Sequence, residues 1–333
     1  MTARSTRFIQ LGRENTAAGT AVSCTTVWAG EANKFENLAV PVFPVEDAGL
    51  LAPLARSHVP KFGGRLTPPP AVATFEQINH IFEAGIETDT PAADGSGYIY
   101  EYNLPTTAAN TIKTYTIEAG DATQCDEVEY CFVSEFKLAG TADQALTMQP
   151  TWIGRQLTDA TKTASQVVPA VRESILVGKG TVYINDTFAS LGVTAVSSTI
   201  IGINMAVTTG ISAHFTADNG QLYFTDVNQN PASGSIDVTM EYNATGLAEE
   251  LKYLADTGRF IRFQFNGTAL GTAGSTYTTK ALRIDCYGKW ESFSQLDESP
   301  EGNDIVTGKL RLLYDGTNIF ANIYVVNELS AVP

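Results

Sequence analysis

Three observations predict a mostly β chain built as two tandem antiparallel β-sandwich domains, each with one flanking α-helix, plus a long Pro-rich loop and an N-terminal arm. Apolar and polar residues alternate with period two along most of the 333 residues, the signature of half-buried strands. Only two short stretches carry a helical period. The order of segments in the first half also recurs in the second, at a spacing of roughly 160–170 residues, which is the size of a domain and far too long for a solenoid repeat. The expected division is residues 1–165 and 166–333.

The elements follow in chain order. Residues 1–24 are small and polar, with Gly12, Ala17, Ala18 and Gly19, and read as an irregular arm. The run Thr25–Glu31 reads as a strand. Residues 40–70 hold Pro41, Pro44, Pro53, Pro60, Pro68, Pro69 and Pro70, half of the fourteen prolines. Proline fixes φ and removes a backbone donor, so this segment can be neither an interior strand nor a helix. It reads as an extended, semi-rigid arm or as a meandering surface loop. A helix is expected over 75–85, with Thr74 and Gln77 at capping-box spacing and Phe75, Ile78, Ile81 and Phe82 in one stripe. Strands are then expected at Tyr98–Leu104, Thr111–Glu118, Glu127–Leu138 and Leu146–Gln156, and a Thr/Ala/Ser-rich link at Thr158–Ser174.

In the second half Gly180–Asp186 and Gly234–Tyr242 read as strands, the latter with Ile236, Val238, Met240 and Tyr242 on one face. Ile201, Ile203, Met205 and Val207 form another such face. A helix over 246–256 follows, with Thr245 as N-cap and Leu247, Leu251 and Leu254 as the stripe expected to lie against a sheet. Arg259–Phe265, Thr276–Phe293, Ile305–Tyr314 and Ile319–Val326 close this half. Asp94-Gly95, Asn219-Gly220, Asn266-Gly267 and Asp315-Gly316 are expected chain reversals. The repeat equates Phe75 with Leu247, Thr26–Trp28 with Val182–Ile184, and Leu146–Gln156 with Ile305–Tyr314.

Acidic residues outnumber basic ones, 36 to 21, for a net charge of −15. The excess is −8 over residues 1–165 and −7 over residues 166–333, so no acidic tail carries it. Even acidity opposes tight nucleic-acid binding, which relies on Lys and Arg displacing counterions. Cys24, Cys125, Cys131 and Cys286 form no Cys-x-x-Cys pair, and a disulfide scaffold is not expected. No apolar h-region follows the first residues and no apolar run approaches the ~18 residues of a membrane span, so folding in a cytoplasm is expected.

Catalytic punctuation is sparse. His58, His80 and His214 have no neighbour at metal-ligand spacing and are expected on the surface or partly packed. Val177–Thr181 lacks the spacing of a phosphate loop and reads as a hairpin turn, and Gly267–Gly271 misses the dinucleotide pattern. Asp297–Asp304 gathers four carboxylates, which suit either a Ca²⁺ loop or an acidic turn. Trp28, Trp152 and Trp290 sit in apolar strand patterns, where packing is the default. The expectation is no enzyme, no cofactor, no catalytic residue and no metal site.

Several segments resemble the major tail tube proteins of long-tailed, non-contractile bacteriophages, in the form with two fused tube domains. They are Ile9–Thr20, Ala73–Ile78, Phe132–Arg155, Gly302–Gly308 and Val325–Leu329, which together touch most of the chain. The resemblance implies a β-sandwich with a flanking helix, and arms that reach neighbouring rings. It implies a homotrimeric ring of pseudo-hexameric symmetry, stacked into a tube with tape-measure, tail-tip and terminator proteins as further partners. The place is then the virion tail, assembled in the host cytoplasm, with genome DNA passing through an acidic lumen without specific binding and no membrane contact. Val42, Phe43, Val45, Leu50, Leu51 and Leu54, apolar side chains in a proline-stiffened segment, are the expected inter-ring contacts. Two other readings stay open: a β-sandwich receptor-binding or adhesion module of a tail tip or cell surface, and a hydrolase on a β-scaffold.

Overall fold

The computed structural model describes residues 6–15, 17–121, 123–217, 220–298 and 302–333. Its main elements in the first half are β1 (Phe8–Arg13), β2 (Gly64–Leu66), β3 (Ala71–Val72), α1 (Ile78–Gly85) and β4 (Gly97–Asn103). They continue with β5 (Tyr115–Gly120), β6 (Cys125–Thr141), β7 (Thr147–Gly154) and β8 (Thr158–Ala160). The second half contributes β9 (Gly180–Asn185), β10 (Ile200–Thr208), β11 (Ser233–Glu241), α2 (Ala244–Leu254) and β12 (Gly258–Ala269). It ends with β13 (Thr279–Phe293), β14 (Asp304–Leu312) and β15 (Ala321–Asn327). The chain is mostly β, and its strand ladders are antiparallel.

The same ladder order occurs in both halves. In the first, β1 pairs with β5, β5 with the start of β6, the later part of β6 with β7, and β7 with β2 and β3; β8 returns to the start of β6. In the second, β9 pairs with β12, β12 with β13, the end of β13 with β14, and β14 with β11; β15 returns to the start of β13. The likeness extends to an irregularity. Ser134 is an extra residue in β6, between the pairs Val133↔Trp152 and Glu135↔Thr151. Glu291 is an extra residue in β13, between Trp290↔Leu310 and Ser292↔Lys309. A bulge bends a strand and sharpens its twist, so both long strands turn the same corner at the same point.

Each helix is also tied down by a buried carboxylate. Glu83 of α1 accepts from Arg13 of β1, with Nε at 3.0 Å, and from the Tyr115 hydroxyl at 2.9 Å. Glu249 of α2 accepts from Arg259 of β12 at 2.8 and 2.6 Å and from Trp290 Nε1 at 3.0 Å. A charge taken out of water needs a partner of this kind.

The two halves share one sheet. Glu135–Thr141 of β6 pairs with Gly202–Thr208 of β10, and Tyr98–Asn103 of β4 pairs with Asn322–Asn327 of β15. Lys280 donates to Glu76 at 2.7 Å with both side chains buried, and Asn327 Nδ2 donates to the Phe75 carbonyl at 2.8 Å. The Asp94 carboxylate accepts backbone N–H groups of Ser275, Thr276 and Tyr277. One large apolar cluster, including Phe82, Phe136, Met205, Ile236 and Leu310, runs behind the sheet through both halves.

Several expectations need correction. The arm expected over 1–24 contains β1, whose Phe8–Gly12 are all buried between β5 and the short strand Thr26–Val27; residues 1–5 and 16 lie outside the described residues. The ladders equate β9 with β1, not with Thr26–Trp28, while the match of Leu146–Gln156 with Ile305–Tyr314 agrees with β7 and β14. The link over 158–174 begins with β8, because the start of β6 would otherwise expose an unpaired edge. Val177–Lys179 is a 3₁₀ turn leading into β9, not a hairpin. Asn266-Gly267 lies inside β12, which bulges there and reverses later. Asn219 lies outside the described residues. The N-cap of α2 is Asn243, whose side chain accepts from the N–H groups of Thr245 and Gly246.

Candidate functional site

Titratable groups are buried and mated rather than gathered in an open cleft. His80, expected on the surface or partly packed, is fully buried, with Nδ1 3.0 Å from the Tyr115 hydroxyl. Burial and the nearby Arg13 guanidinium lower its pKa to about 3, so the ring is neutral near pH 7. His58 is exposed in the Pro-rich segment and His214 is exposed at the end of the strand Ile211–His214. The four cysteines are buried and free, and burial pushes the Cys125 thiol up to about 11 and the others higher. Thiols held protonated are poor nucleophiles. Among the described residues no group of three His, Cys, Asp or Glu side chains is placed to hold a metal. The acidic run Asp297–Asp304 includes residues 299–301, outside the described residues.

Two surfaces stand out instead. The first is the solvent face of the strands β7, β6, β10, β11 and β14. Ladder register aligns its side chains in rows across the two halves. One row runs Gln149, Lys137, Ala206, Ser235, Arg311, and the next Thr147, Ala139, Asn204, Asp237, Lys309. A third adds Thr141, Gly202, Thr239 and Thr307, with the two hydroxyls of Thr239 and Thr307 3.1 Å apart. The opposite face of the same strands carries Phe136, Leu138, Met205, Val207, Ile236, Val238 and Leu310, all buried. Period-two alternation therefore yields one dry face and one face of short, polar side chains. Its charges balance: Lys137, Lys309 and Arg311 stand against Glu135, Asp237 and Glu241. The chain's negative excess lies elsewhere.

The second surface is the Pro-rich segment. Val42 and His58 exchange backbone hydrogen bonds of 2.8 and 3.1 Å, which close the base of a projecting loop. The base is anchored where Leu38 N–H donates to the Gly63 carbonyl and Phe62 N–H to the Leu222 carbonyl. Within the loop so closed the six residues singled out in the sequence are exposed together: Val42, Phe43 (70%), Val45 (96%), Leu50, Leu51 and Leu54. Arg56 pairs with Glu46 across the loop.

The two helices differ from expectation in opposite ways. Every residue of α1 is buried, its polar ones included, because the segment 86–114 folds back over it; Lys113 N–H donates to the Glu83 carbonyl and Asn110 Nδ2 to the Ile86 carbonyl. In α2 only three residues separate Leu254 from Gly258, so nothing folds back. Leu247, Leu251 and Leu254, expected against the sheet, are 44, 55 and 72% exposed, while Glu249 points inward to Arg259. The electrostatic tie sets the helix's rotation, and the leucines are left outside.

Among the described residues no helix is long and apolar enough to cross a membrane. The chain matches no protein-family model and no curated protein.

Proposed function

We propose that this chain is the repeating unit of a tail-tube-type conduit, a structural protein without catalysis. Three chains close a ring, two sandwich domains each, and rings stack into a tube. The observation that carries the reading is the repeated ladder whose sheet passes without a break from β6 into β10. A half that continues into its neighbour inside one chain is suited to continue into the next chain. The polar face of that sheet would line the channel. Its hydroxyl, amide and alanine side chains and balanced charge offer phosphates no basic patch to hold, so DNA passes without adsorbing, and a concentrated acidic lining is not required.

The projecting loop would join ring to ring. Exposed Phe43, Val45, Leu50 and Leu51 gain nothing in water and gain burial energy on a partner. The loop's prolines lower the entropy lost on docking. The test is electron microscopy of the purified chain beside a variant in which residues 42–58 are a Gly/Ser linker. The chain should form tubes, and the variant should fold and form rings that do not stack. Discrete monomers that bind a glycan would support the adhesion reading instead. Normal tubes from the variant would remove the loop from the inter-ring contact.

A further inference from the structure

The repeat inside the chain specifies, residue by residue, how one chain meets the next. The shared bulge fixes the correspondence: Ser134 matches Glu291, so Glu135–Lys137 of β6 match Ser292–Ser294, and a second extra residue before Asp297, absent from β6, makes Asp297 the counterpart of Ala139. The packing follows it. Phe136 meets Phe82 of α1 with ring centroids 5.5 Å apart, and Phe293 meets Tyr253 of α2 at 5.6 Å. In the first half the outer edge of Glu135–Thr141 is occupied by β10. In the second half β12 ends its pairing at Lys289, and among the described residues no strand lies on the outer edge of Ser292–Glu298.

The counterpart of β10 is found in the same way. Leu310 pairs with Ile236, and Ile236 with Met205. In the first half Trp152 pairs with Leu66, and Glu36–Asn37 pairs with Arg65 and Gly64, which sets Phe35 opposite Leu66. Phe35 therefore stands where Met205 does, and both are buried. Among the described residues the other edge of Glu36–Asn37 has no strand partner.

We propose that the Ser292–Glu298 edge of one chain pairs, antiparallel, with the segment Ala32–Leu38 of a second copy. Since Lys137 pairs with Ala206 and Phe136 with Val207, the register places Ser294 opposite Glu36 and Phe293 opposite Asn37. Both open edges are then satisfied at once, which is what exposed strand edges demand. Because the donor and acceptor edges lie on opposite sides of the chain, the contact is heterologous, and it closes when the rotation returns to the first chain. The polar face continues across the junction, with Glu36 beside Ser294. This inference takes the partner from the ring proposed above and adds the contact itself.

The test is cross-linking of the full chain carrying Glu36→Cys and Ser294→Cys, which are exposed positions directly opposite in this register. Facing residues of an antiparallel pair have Cβ atoms ~4.5–5.5 Å apart, close to disulfide reach, and the native cysteines are buried. Mild oxidation should give disulfide-linked species of two and three chains on non-reducing gels. The two single variants and the shifted pair Glu36→Cys with Leu296→Cys should give at least five-fold less. A particle whose mass is that of three chains but which cross-links no better with the matched pair overturns the register while leaving the ring intact. A chain that is monomeric at all concentrations overturns both.

Discussion

The two helices provide a sharp test, because similar substitutions should have very different costs. Ile81 in α1 is fully buried under the segment 86–114. Ile81→Ala removes its apolar contacts and leaves a cavity that the surrounding sheet cannot fill, a cost of about 2–5 kcal/mol. Leu251 in α2 is 55% exposed. A fully buried leucine gains about 1.5–3 kcal/mol by leaving water, and less than half of this one is covered, so Leu251→Ala should cost below about 1 kcal/mol with no cavity contribution. Urea unfolding of the unassembled chain, followed by fluorescence of the buried Trp28, Trp152 and Trp290, measures both. The midpoint should fall strongly for Ile81→Ala and hardly for Leu251→Ala. Equal shifts, or the larger one for Leu251→Ala, would refute the rotation assigned to α2 and the covering role of residues 86–114.

Three further outcomes follow. His80 has its folded pKa lowered to about 3, against ~6.5 when unfolded, so its contribution is intact above the unfolded value and is lost as pH falls from about 6.5 toward 3; between pH 7 and pH 5 that loss is about 2 kcal/mol, and a His80→Leu variant measured at the same two pH values should show a correspondingly smaller difference. Glu76→Ala leaves the buried Lys280 ammonium with only Glu173, 3.5 Å away, and should cost about 3–5 kcal/mol in the same unfolding assay, part of it recovered when Lys280→Met is added. Replacing residues 42–58 with a Gly/Ser linker should leave the unfolding midpoint of the single chain within about 0.5 kcal/mol of the parent, since the loop packs on little.

Much of the strand layout was legible because its cause is local. Ile236, Val238 and Met240 alternate with polar residues, and the structure buries that face. The three tryptophans read as core and are core. The exposed loop over 42–58 was legible for the same reason, but the segment 40–70 was not legible as a whole: it was expected to hold no interior strand, and its Gly64–Leu66 is β2, paired on both edges. What stayed hidden depends on distant partners. Phe8–Arg13 looks like an arm until β5 and Thr26–Val27 flank it. His80 looks like a surface or partly packed residue until Tyr115 and Arg13 surround it. The leucine stripe of α2 has the right period and the wrong direction, because periodicity is silent about a glutamate that must meet a buried arginine. The matched bulges are invisible in sequence: one inserts serine and the other glutamate, and only ladder register equates them.

The most direct test of the ring is the native mass of the smallest closed particle, measured on the linker variant so that stacking does not obscure it. The account predicts three chains, each close to the 35.7 kDa of the parent, holding together without disulfides. A stable monomer, or a closed ring of six chains, would contradict it.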